Sequence, residues 1–324
     1  SKMRTHYNPK NNPRVIIITQ GLSRIVEPIC NKHSVVGIIE SKSRQRPKAL
    51  FILIRYLYQL VKHNKQSLSS FAKKRDIPYF YMKNGSDAAL EEWVRMQNSD
   101  IIVVHSMSQL LRENIFSIPK YKTINLHTSL LPNYRGPNPL FWIYLNMEKE
   151  SGATLHYIDK GEDTGDIIYQ ESYPIELGIR SPEMMDTALG NIGVSLILKA
   201  LKNYKNLPRE KQKKLKITHK RARNIKANEH NNFIDYKNWS VERVWHFLRG
   251  TESWLNALDQ PKGIFKGQRW TILEYEKGSF ENFMIGKIYK SKNKYFLVCK
   301  NGIIHLNTTF SLRNLIFYYV HEKH

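Results

Sequence analysis

Short runs of Val and Ile are the feature that most constrains how this chain can fold. They occur at Arg14–Thr19 (RVIIIT), Ser34–Glu40 (SVVGIIE) and Asp100–His105 (DIIVVH), with sequence of helical character between them. Apolar runs without alternation are typical of strands buried on both faces, and such strands alternate with helices in parallel sheets. The sequence therefore predicts an α/β fold with a Rossmann-like, mostly parallel sheet. Because the turn after the first run lacks GxGxxG, a dinucleotide-binding function has little support.

The following segments continue this alternation. Further strands are expected at Pro78–Tyr81, Tyr121–Leu126, Ala153–Ile158 and Ile167–Pro174, and helices at Leu22–Lys32, Pro47–Lys62, Ser67–Arg75, Ala88–Gln97 and Leu140–Met147. The longest helix is expected at Ser181–Tyr204, with Ser181 as its N-cap and Pro182 at the first helical position. Its apolar stripe is that of a core face.

The length of 324 residues suggests two domains. We expect a mobile N-terminal arm at 1–13, an α/β catalytic domain at 14–204, a basic linker at 205–228 and a smaller β-rich domain at 229–324. Two apolar runs, Phe296–Cys299 and Ile303–Leu306, flank Asn301-Gly302. Since Asn-Gly is a strong hairpin signal, this part of the chain is expected to form antiparallel strands.

A strongly basic tract, Lys205–Lys226, follows the longest predicted helix. It holds ten Lys or Arg residues and one Glu. The simpler interpretation is a solvated linker between the domains, and the alternative is a segment that contacts phosphates. The formal net charge of the whole chain, +23, favours an anionic partner: nucleic acid, a phosphorylated small molecule or an acidic membrane surface.

Cysteine usage and hydropathy point to a compartment. Cys30 and Cys299 lie far apart in the sequence, so a disulfide framework and a cysteine-based metal site are not expected. The longest apolar segment, Ala49–Val61, carries Arg55 and is shorter than a membrane span. We therefore expect a soluble, cytoplasmic protein without a cysteine-based metal site.

A polar motif stands at the end of a predicted strand. Asn125 and His127 lie two residues apart, so the alternation of the strand directs both side chains to one face. Because ligands bind at the carboxyl ends of strands in open parallel sheets, the pair is placed for acid–base work. Taken alone, such a motif is more often a hydrogen-bonded turn.

The loop Asp159–Asp166 (DKGEDTGD) holds four carboxylates in a very basic chain. A plain solvated loop or a calcium site are the simpler interpretations, but the longer register of an EF-hand loop is missing from this sequence. The acidic loop therefore adds weight to the polar motif that precedes it.

The segments INLHTSLLPNYRGPNP and GATLHYIDKGEDTGDII together resemble the formyltransferase family that uses 10-formyltetrahydrofolate. That family includes methionyl-tRNA formyltransferase, glycinamide ribonucleotide formyltransferase and the sugar-nucleotide N-formyltransferases. The resemblance covers roughly residues 14–204 and implies the formyltransferase fold. It implies 10-formyltetrahydrofolate as formyl donor and co-substrate, and it places the catalytic residues at Asn125, His127 and Asp163. The β-rich C-terminal domain is similar to the OB-like domain of the tRNA enzyme.

Two binding surfaces follow from the same resemblance. The pterin of the donor is expected between the segment after the preceding strand and the acidic loop, in contact with Ser106, Met107, Leu110, Gly161, Glu162 and Asp166. The acceptor is expected to contact Tyr134, Arg135, Gly136 and Pro137, although Arg135 fits the ordering of its own loop equally well. His105 and His156 are expected to be packed in the structure and not catalytic.

The chemistry suits these residue types. An amine that attacks the formyl carbon produces a tetrahedral intermediate with a developing oxyanion, which an Asn amide and a protonated His can stabilise. An imidazole can also carry a proton from the amine to the leaving nitrogen near neutral pH, and a carboxylate beside it fixes its orientation. Because the formyl group arrives activated, no metal and no covalent nucleophile is expected.

The fold does not name the acceptor amine. A dTDP- or UDP-linked 4-amino-4,6-dideoxyhexose, used for surface polysaccharide, is expected first, because Pro137–Trp142 (PNPLFW) and Thr154–Tyr157 look more like the sugar enzymes. Methionyl-tRNA is the alternative, which the chain length, the β-rich C-terminal region and the basic charge favour. A non-catalytic or RNA-binding module of the same fold is a third hypothesis. No membrane partner is expected, and the sequence allows a homodimer.

Overall fold

The structure is a computed structural model that describes residues 12–42, 66–85, 87–261, 267–310 and 315. The helix expected at Pro47–Lys62 and most of the arm expected at 1–13 lie outside the described residues. The described part contains a large sheet of seven strands and a small sheet of four.

The large sheet confirms the predicted α/β architecture. Its strands are β1 (Arg14–Thr19), β2 (Ser34–Ser41), β3 (Tyr79–Met82), β4 (Ile101–His105), β5 (Thr123–His127), β6 (Glu150–Tyr157) and β7 (Ile167–Pro174). They are arranged in the order β3-β2-β1-β4-β5-β6-β7. The first five strands run parallel, whereas β5–β6 and β6–β7 are antiparallel pairs.

Both faces of the central strand β1 are buried, as its unalternated Val and Ile run predicts. Along β1, Val15 and Ile17 belong to one apolar cluster while Ile16 and Ile18 belong to the other, and all four side chains are 0% exposed. Since neither face of β1 meets water between Val15 and Ile18, none of these four positions favours a polar residue.

The principal helices of the described part are α1 (Val26–Lys32), α2 (Leu68–Lys74), α3 (Ala88–Gln97), α4 (Glu113–Phe116), α5 (Pro139–Leu145), α6 (Ser181–Lys202) and α7 (Val241–Thr251). The side chains of Ser67, Asp87 and Asn138 accept backbone N–H groups at the starts of α2, α3 and α5. The predicted cap of α6 is wrong, because Arg180 precedes the helix and Ser181 is its first residue.

Helix α6 passes close to β5. Its middle part, Asp186–Gly193, is π-helical, and a Cβ atom at Gly193 would lie 2.5 Å from Leu126 Cδ2. Glycine therefore allows the helix to approach the strand that carries Asn125 and His127. By length and composition α6 is apolar enough to cross a membrane, but half of that stretch is buried within the protein, as in a core helix.

The small sheet confirms the predicted β-rich C-terminal region. Its strands are β8 (Gln268–Lys277), β9 (Ile288–Ser291), β10 (Lys294–Cys299) and β11 (Gly302–Phe310), all antiparallel, in the order β8-β11-β10-β9. Cys299 pairs with Gly302, so the hairpin signalled by Asn301-Gly302 is confirmed. Helix α7 packs against both parts of the chain: Phe247 meets Phe141 of α5, and the Trp245 indole donates to the carbonyl of Leu273 in β8.

Candidate active site

A cleft of about 280 Å³ opens at the carboxyl ends of β4 and β5. The segment after β4 and the acidic loop Asp159–Asp166 contribute to its lining, and so do Asn125 and His127 of β5. This is the edge of an open parallel sheet at which ligands bind. The predicted polar motif and the predicted acidic loop therefore meet in one cavity.

Asn125 is held by a histidine of the neighbouring strand. Asn125 and His156 are direct partners in the antiparallel β5–β6 register, and the Asn125 Nδ2 lies 3.0 Å from the His156 Nε2. The His156 Nδ1 lies 2.8 Å from the Tyr157 carbonyl oxygen and donates to it. In the neutral ring this leaves Nε2 to accept one amide hydrogen of Asn125, so the second amide hydrogen is available for a ligand.

His127 is buried, with 8% of its side chain exposed, and both of its ring nitrogens face acceptor oxygens. Its Nε2 donates to the Tyr134 carbonyl oxygen at 2.8 Å. Its Nδ1 lies 3.6 Å from the Asp163 Oδ2, which is longer than a hydrogen bond. With its one proton on Nε2, the neutral ring can take up a second proton only at Nδ1, the edge that faces the carboxylate.

Asp163 is an ionised group in a largely enclosed position. Burial on its own would raise its pKa, but the positive charges of protonated His127 and His156, together with the hydrogen bonds from a protonated His156 and from the Gly136 N–H, outweigh burial and hold the pKa well below the ordinary value. The His156 Nε2 lies 3.5 Å from Oδ1, and the Gly136 nitrogen donates to Oδ2 at 2.9 Å. Asp163 therefore carries a negative charge throughout the neutral pH range.

The acidic loop has a defined turn geometry. The Asp159 Oδ1 accepts hydrogen bonds from the Gly161 nitrogen at 3.0 Å and from the Thr164 hydroxyl at 2.6 Å. A Cβ atom at Gly165 would lie 1.7 Å from the Tyr157 carbonyl oxygen, so only glycine fits there. Asp163 itself has a φ of 54°, in the left-handed region. The D-T-G order thus turns the Asp163 carboxylate toward the two histidines.

The structure places most, but not all, of the residues predicted to contact the donor at the cleft. Five of them line the cleft, namely Ser106, Met107, Leu110, Gly161 and Glu162. The sixth, Asp166, lies outside the lining and has its carboxylate 3.5 Å from the Arg209 guanidinium.

Of the residues predicted to contact the acceptor, two line the cleft and two do not. Gly136 and Pro137 line the cleft. The Tyr134 side chain is 6% exposed and its hydroxyl donates to the Glu148 carboxylate, so it is the backbone oxygen of Tyr134 that reaches the site. The Arg135 guanidinium donates to the Gln212 Oε1, at 3.1 Å from Nε and 2.7 Å from Nη2. Of the two roles that the sequence allowed for Arg135, contact with the acceptor or ordering of its own loop, these hydrogen bonds fit the second.

Lys205–Lys226, called the basic strap from here on, runs along the loops of the site. Gln212 is 2% exposed and Ala222 is 0% exposed, so the tract differs from a fully solvated linker. The Ala222 nitrogen donates to the Arg135 carbonyl at 2.7 Å, and Arg221 forms an ion pair with Glu162 of the acidic loop. The strap lysines Lys211, Lys213, Lys214, Lys216 and Lys220 are exposed.

Sequence reasoning missed two residues of the site, His156 and Gln212. His156 was expected to be packed; it is 2% exposed, but it also lies between Asn125 and Asp163. The signal that reveals it is the antiparallel β5–β6 register, which the alternation within each strand does not supply. Gln212 lies in a basic tract, and the composition of that tract predicts solvent exposure and gives no signal that one amide is buried.

Among the described residues, no group of three or more His, Cys, Asp or Glu side chains is placed to hold a metal ion. Cys30 and Cys299 are both free thiols, and Cys299 is buried. The polar side chains that line the cleft are amides, imidazoles, carboxylates and the hydroxyl of Ser106.

Comparison with known proteins agrees with this arrangement. Residues 17–201, more than half of the chain, match the family described as formyl transferase. The chain belongs to the formyl transferase family. A methionyl-tRNA formyltransferase of Clostridioides difficile is 31% identical over 192 residues, which cover 59% of this chain and 60% of that protein. The corresponding protein of Clostridium beijerinckii is 33% identical over 238 residues, covering 71% of this chain and 73% of that protein.

Solved structures share the fold over nearly the whole chain. WlaRD, a sugar 3N-formyl transferase solved with dTDP and 5-N-formyl-THF, has a TM-score of 0.60 at 19% identity and covers 92% of this chain and 98% of its own. An N-formyltransferase from Helicobacter canadensis, in complex with folinic acid and dTDP-3-aminofucose, has a TM-score of 0.61 at 20% identity and covers 91% of this chain and 99% of its own. At these identities the likeness concerns the fold.

Proposed function

We propose that this protein transfers a formyl group from 10-formyltetrahydrofolate to a primary amine, with Asn125, His127 and Asp163 as its catalytic residues. The observation that carries the proposal is their convergence. Asn125 and His127 project from one face of β5 into the cleft, and the Asp163 carboxylate faces the Nδ1 edge of His127. Membership of the formyl transferase family supports the reaction class.

The reaction forms a bond between the acceptor nitrogen and the formyl carbon, and it breaks the bond between that carbon and N10 of the folate. The formyl oxygen becomes negative in the tetrahedral intermediate, and donors for it are the free Asn125 amide hydrogen and a protonated His127. A protonated His127 gives its Nδ1 proton to N10 as the bond between the formyl carbon and N10 breaks, and the neutral ring then takes up the proton that the acceptor nitrogen loses. Asp163 stabilises the imidazolium and orients the ring.

The donor is proposed to bind between the segment after β4 and the acidic loop. Leu110 is 43% exposed and lines the cleft together with Met107, so a flat ring would cover apolar surface there. Ser106, Gly161 and Glu162 supply polar groups around it. Two of the solved neighbours contain reduced formyl-folates, which supports this use of the cleft.

The proposed acceptor is methionyl-tRNA, in place of the amino sugar that the sequence alone put first. The sequence relatives of 31–33% identity carry the name methionyl-tRNA formyltransferase. The basic strap also supports a polyanionic acceptor, because it packs beside the cleft through Arg221 and Glu162 while its lysines face solvent. Phe141 is 0% exposed, the Arg223 guanidinium lies over the Trp142 ring, and neither residue lines the cleft, so these aromatic rings do not serve to stack on a sugar.

A nucleotide-linked amino sugar is the second candidate acceptor. The segment Pro137–Trp142 resembles the sugar enzymes, and Pro137 lies at the cleft. Such an acceptor requires a site for one or two phosphates only, so its binding depends weakly on salt.

An acceptor assay separates the two candidates. The purified protein is incubated with 10-formyltetrahydrofolate and, in separate reactions, methionyl initiator tRNA, uncharged tRNA and a panel of dTDP- and UDP-linked amino sugars, and formylated products are detected by mass. We expect N-formylmethionyl-tRNA from the first reaction and no formyl product from uncharged tRNA. Formylation of a sugar without formylation of methionyl-tRNA would replace the first acceptor by the second.

A further inference from the structure

Gln212 is a buried polar side chain that joins the basic strap to the catalytic loop. It is 2% exposed, while Lys211 and Lys213 on either side of it are exposed. A primary amide in a buried position must satisfy both its oxygen and its two hydrogens to avoid a cost in free energy. The partners of Gln212 therefore explain why the strap turns inward at this residue.

All the hydrogen-bonding groups of the Gln212 amide have partners. Its Nε2 donates to the Asp163 carbonyl oxygen at 2.9 Å and to the Gly165 carbonyl oxygen at 2.6 Å. Its Oε1 accepts from the Arg135 guanidinium at 2.7 and 3.1 Å. Because a guanidinium only donates and a carbonyl only accepts, this environment fixes which end of the amide faces the loop.

These contacts act on the backbone that carries the catalytic carboxylate. Asp163 has a φ of 54°, and the two carbonyls bound by Gln212 lie on either side of Thr164. An L-residue in the left-handed region depends on surrounding contacts to stay there. The Gln212 amide clamps this turn from the side of the strap, while the Gly136 nitrogen holds the Asp163 carboxylate at 2.9 Å.

We propose that Gln212 is a positioning residue that sets the Asp163 carboxylate against His127, and that Arg135 acts through Gln212. The proposal rests on the proposed formyl transfer, since it assigns how one of the catalytic groups is held in place. It also assigns Arg135 to the loop and removes it from the acceptor contacts expected from the sequence.

Two substitutions of Gln212 test the hydrogen bonds that its amide nitrogen donates to the acidic loop. Gln212→Met removes the whole polar group, whereas Gln212→Glu keeps an acceptor for Arg135 and turns an oxygen toward the two loop carbonyls. Both variants are expected to lose about 10- to 100-fold in kcat, with KM for the folate donor changed much less, because a displacement of about 1 Å at a catalytic group has effects of that size. Gln97→Met, a change on α3 away from the cleft, is the control and keeps the wild-type kcat.

A purely structural role for Gln212 predicts a different result. If the amide only anchors the strap to Arg135, Gln212→Glu preserves the anchor and keeps kcat, which would overturn the proposal. Thermal unfolding of each variant shows whether it is folded under the conditions of the assay, and Gln212→Glu serves if Gln212→Met fails to fold.

A double-mutant cycle tests the part assigned to Arg135. If Arg135 acts through Gln212, the loss in Arg135→Met plus Gln212→Met matches the larger single loss, because both substitutions break one chain of contacts. If the losses in kcat are additive and Arg135→Met alone increases the KM for the acceptor, Arg135 contacts the acceptor and does not act through Gln212.

A spectroscopic readout separates this proposal from the proposed function. The imidazole ring signals of His127 and His156, followed by NMR, report the position of the Asp163 carboxylate without turnover. They are expected to move in both Gln212 variants and to stay in place in Gln97→Met. If the wild type forms no formyl product, the proposed function fails while these signals still decide the role of Gln212. Unmoved signals in folded Gln212 variants would refute the positioning role.

Discussion

Removal of charge from the basic strap tests the proposed polyanionic acceptor. The variant changes Lys213, Lys214, Lys216 and Lys220 to Gln, all of which are exposed in the structure. The strap is held by other residues: the Gln212 amide binds the acidic loop, and Thr218 donates to the Asn133 side chain at 2.8 Å. The four substitutions therefore remove positive charge without removing the contacts that fix the strap.

The magnitude follows from counterion release. Each phosphate contact contributes about 0.9 to the slope of log affinity against log salt, so four contacts contribute about 3.6. Between about 50 and about 200 mM salt, that slope corresponds to roughly a 150-fold change in affinity. The wild type should therefore lose affinity for methionyl initiator tRNA more steeply with salt than the variant does, and the affinities of the two should approach each other at high salt.

The assay is binding of methionyl initiator tRNA, measured at a series of salt concentrations, together with the rate of formyl transfer. The matched control changes four other exposed lysines to Gln, namely Lys32, Lys73, Lys74 and Lys120. They precede β2, β3 and β5 and so lie toward the amino ends of the parallel strands, opposite to the cleft. The control should keep the wild-type salt slope. Equal slopes in the strap variant and the wild type would refute the assignment of the strap to phosphate contacts.

Two further changes test individual contacts. Asp163→Asn should lower the formyl transfer rate by about 100-fold or more, because the imidazolium of His127 loses its negative partner. Since the pKa of Asp163 is lowered from 3.8 on folding, its ionised form stabilises the protein above that pH and the stabilisation is lost as the pH falls further. Asp163→Asn should therefore reduce the free energy of unfolding at pH 7 and flatten its decrease in acid, as measured by urea denaturation across pH; an unchanged acid dependence would contradict the charge assigned to Asp163. Gly193→Val should cost about 1–3 kcal/mol in the free energy of unfolding, since a Cβ there would lie 2.5 Å from Leu126 Cδ2. Full stability of that variant would show that α6 can move away from β5.

The sequence predicted the sheet and the position of the site because both depend on local patterns. Val15–Ile18 are apolar at every position, which requires a strand buried on two faces. The spacing of Asn125 and His127 requires one strand face, and the four carboxylates of Asp159–Asp166 form one short acidic loop in a basic chain. Each of these signals lies within a few residues of sequence.

The missed features depend on pairing between distant segments. His156 reaches Asn125 only through the antiparallel β5–β6 register, and a shift by one residue would have turned it to the opposite face. Gln212 reaches Asp163 from 49 residues away along a tract whose composition is that of a solvated segment. Arg135 has donors that suit a phosphate or an amide oxygen equally, so its partner became clear only from the packing of the strap.

The central claim is that the imidazole of His127 takes part in formyl transfer within the cleft. The most direct test is the rate of a single turnover with 10-formyltetrahydrofolate and methionyl initiator tRNA, measured for the wild type and for folded His127→Ala, with folate binding measured by calorimetry on both. We predict a rate that is lower by at least about 100-fold in the variant, with donor affinity nearly unchanged, because His127 serves in proton transfer while the pterin is proposed to lie between the segment after β4 and the acidic loop. A folded His127→Ala protein that transfers the formyl group at the wild-type rate would contradict the mechanism.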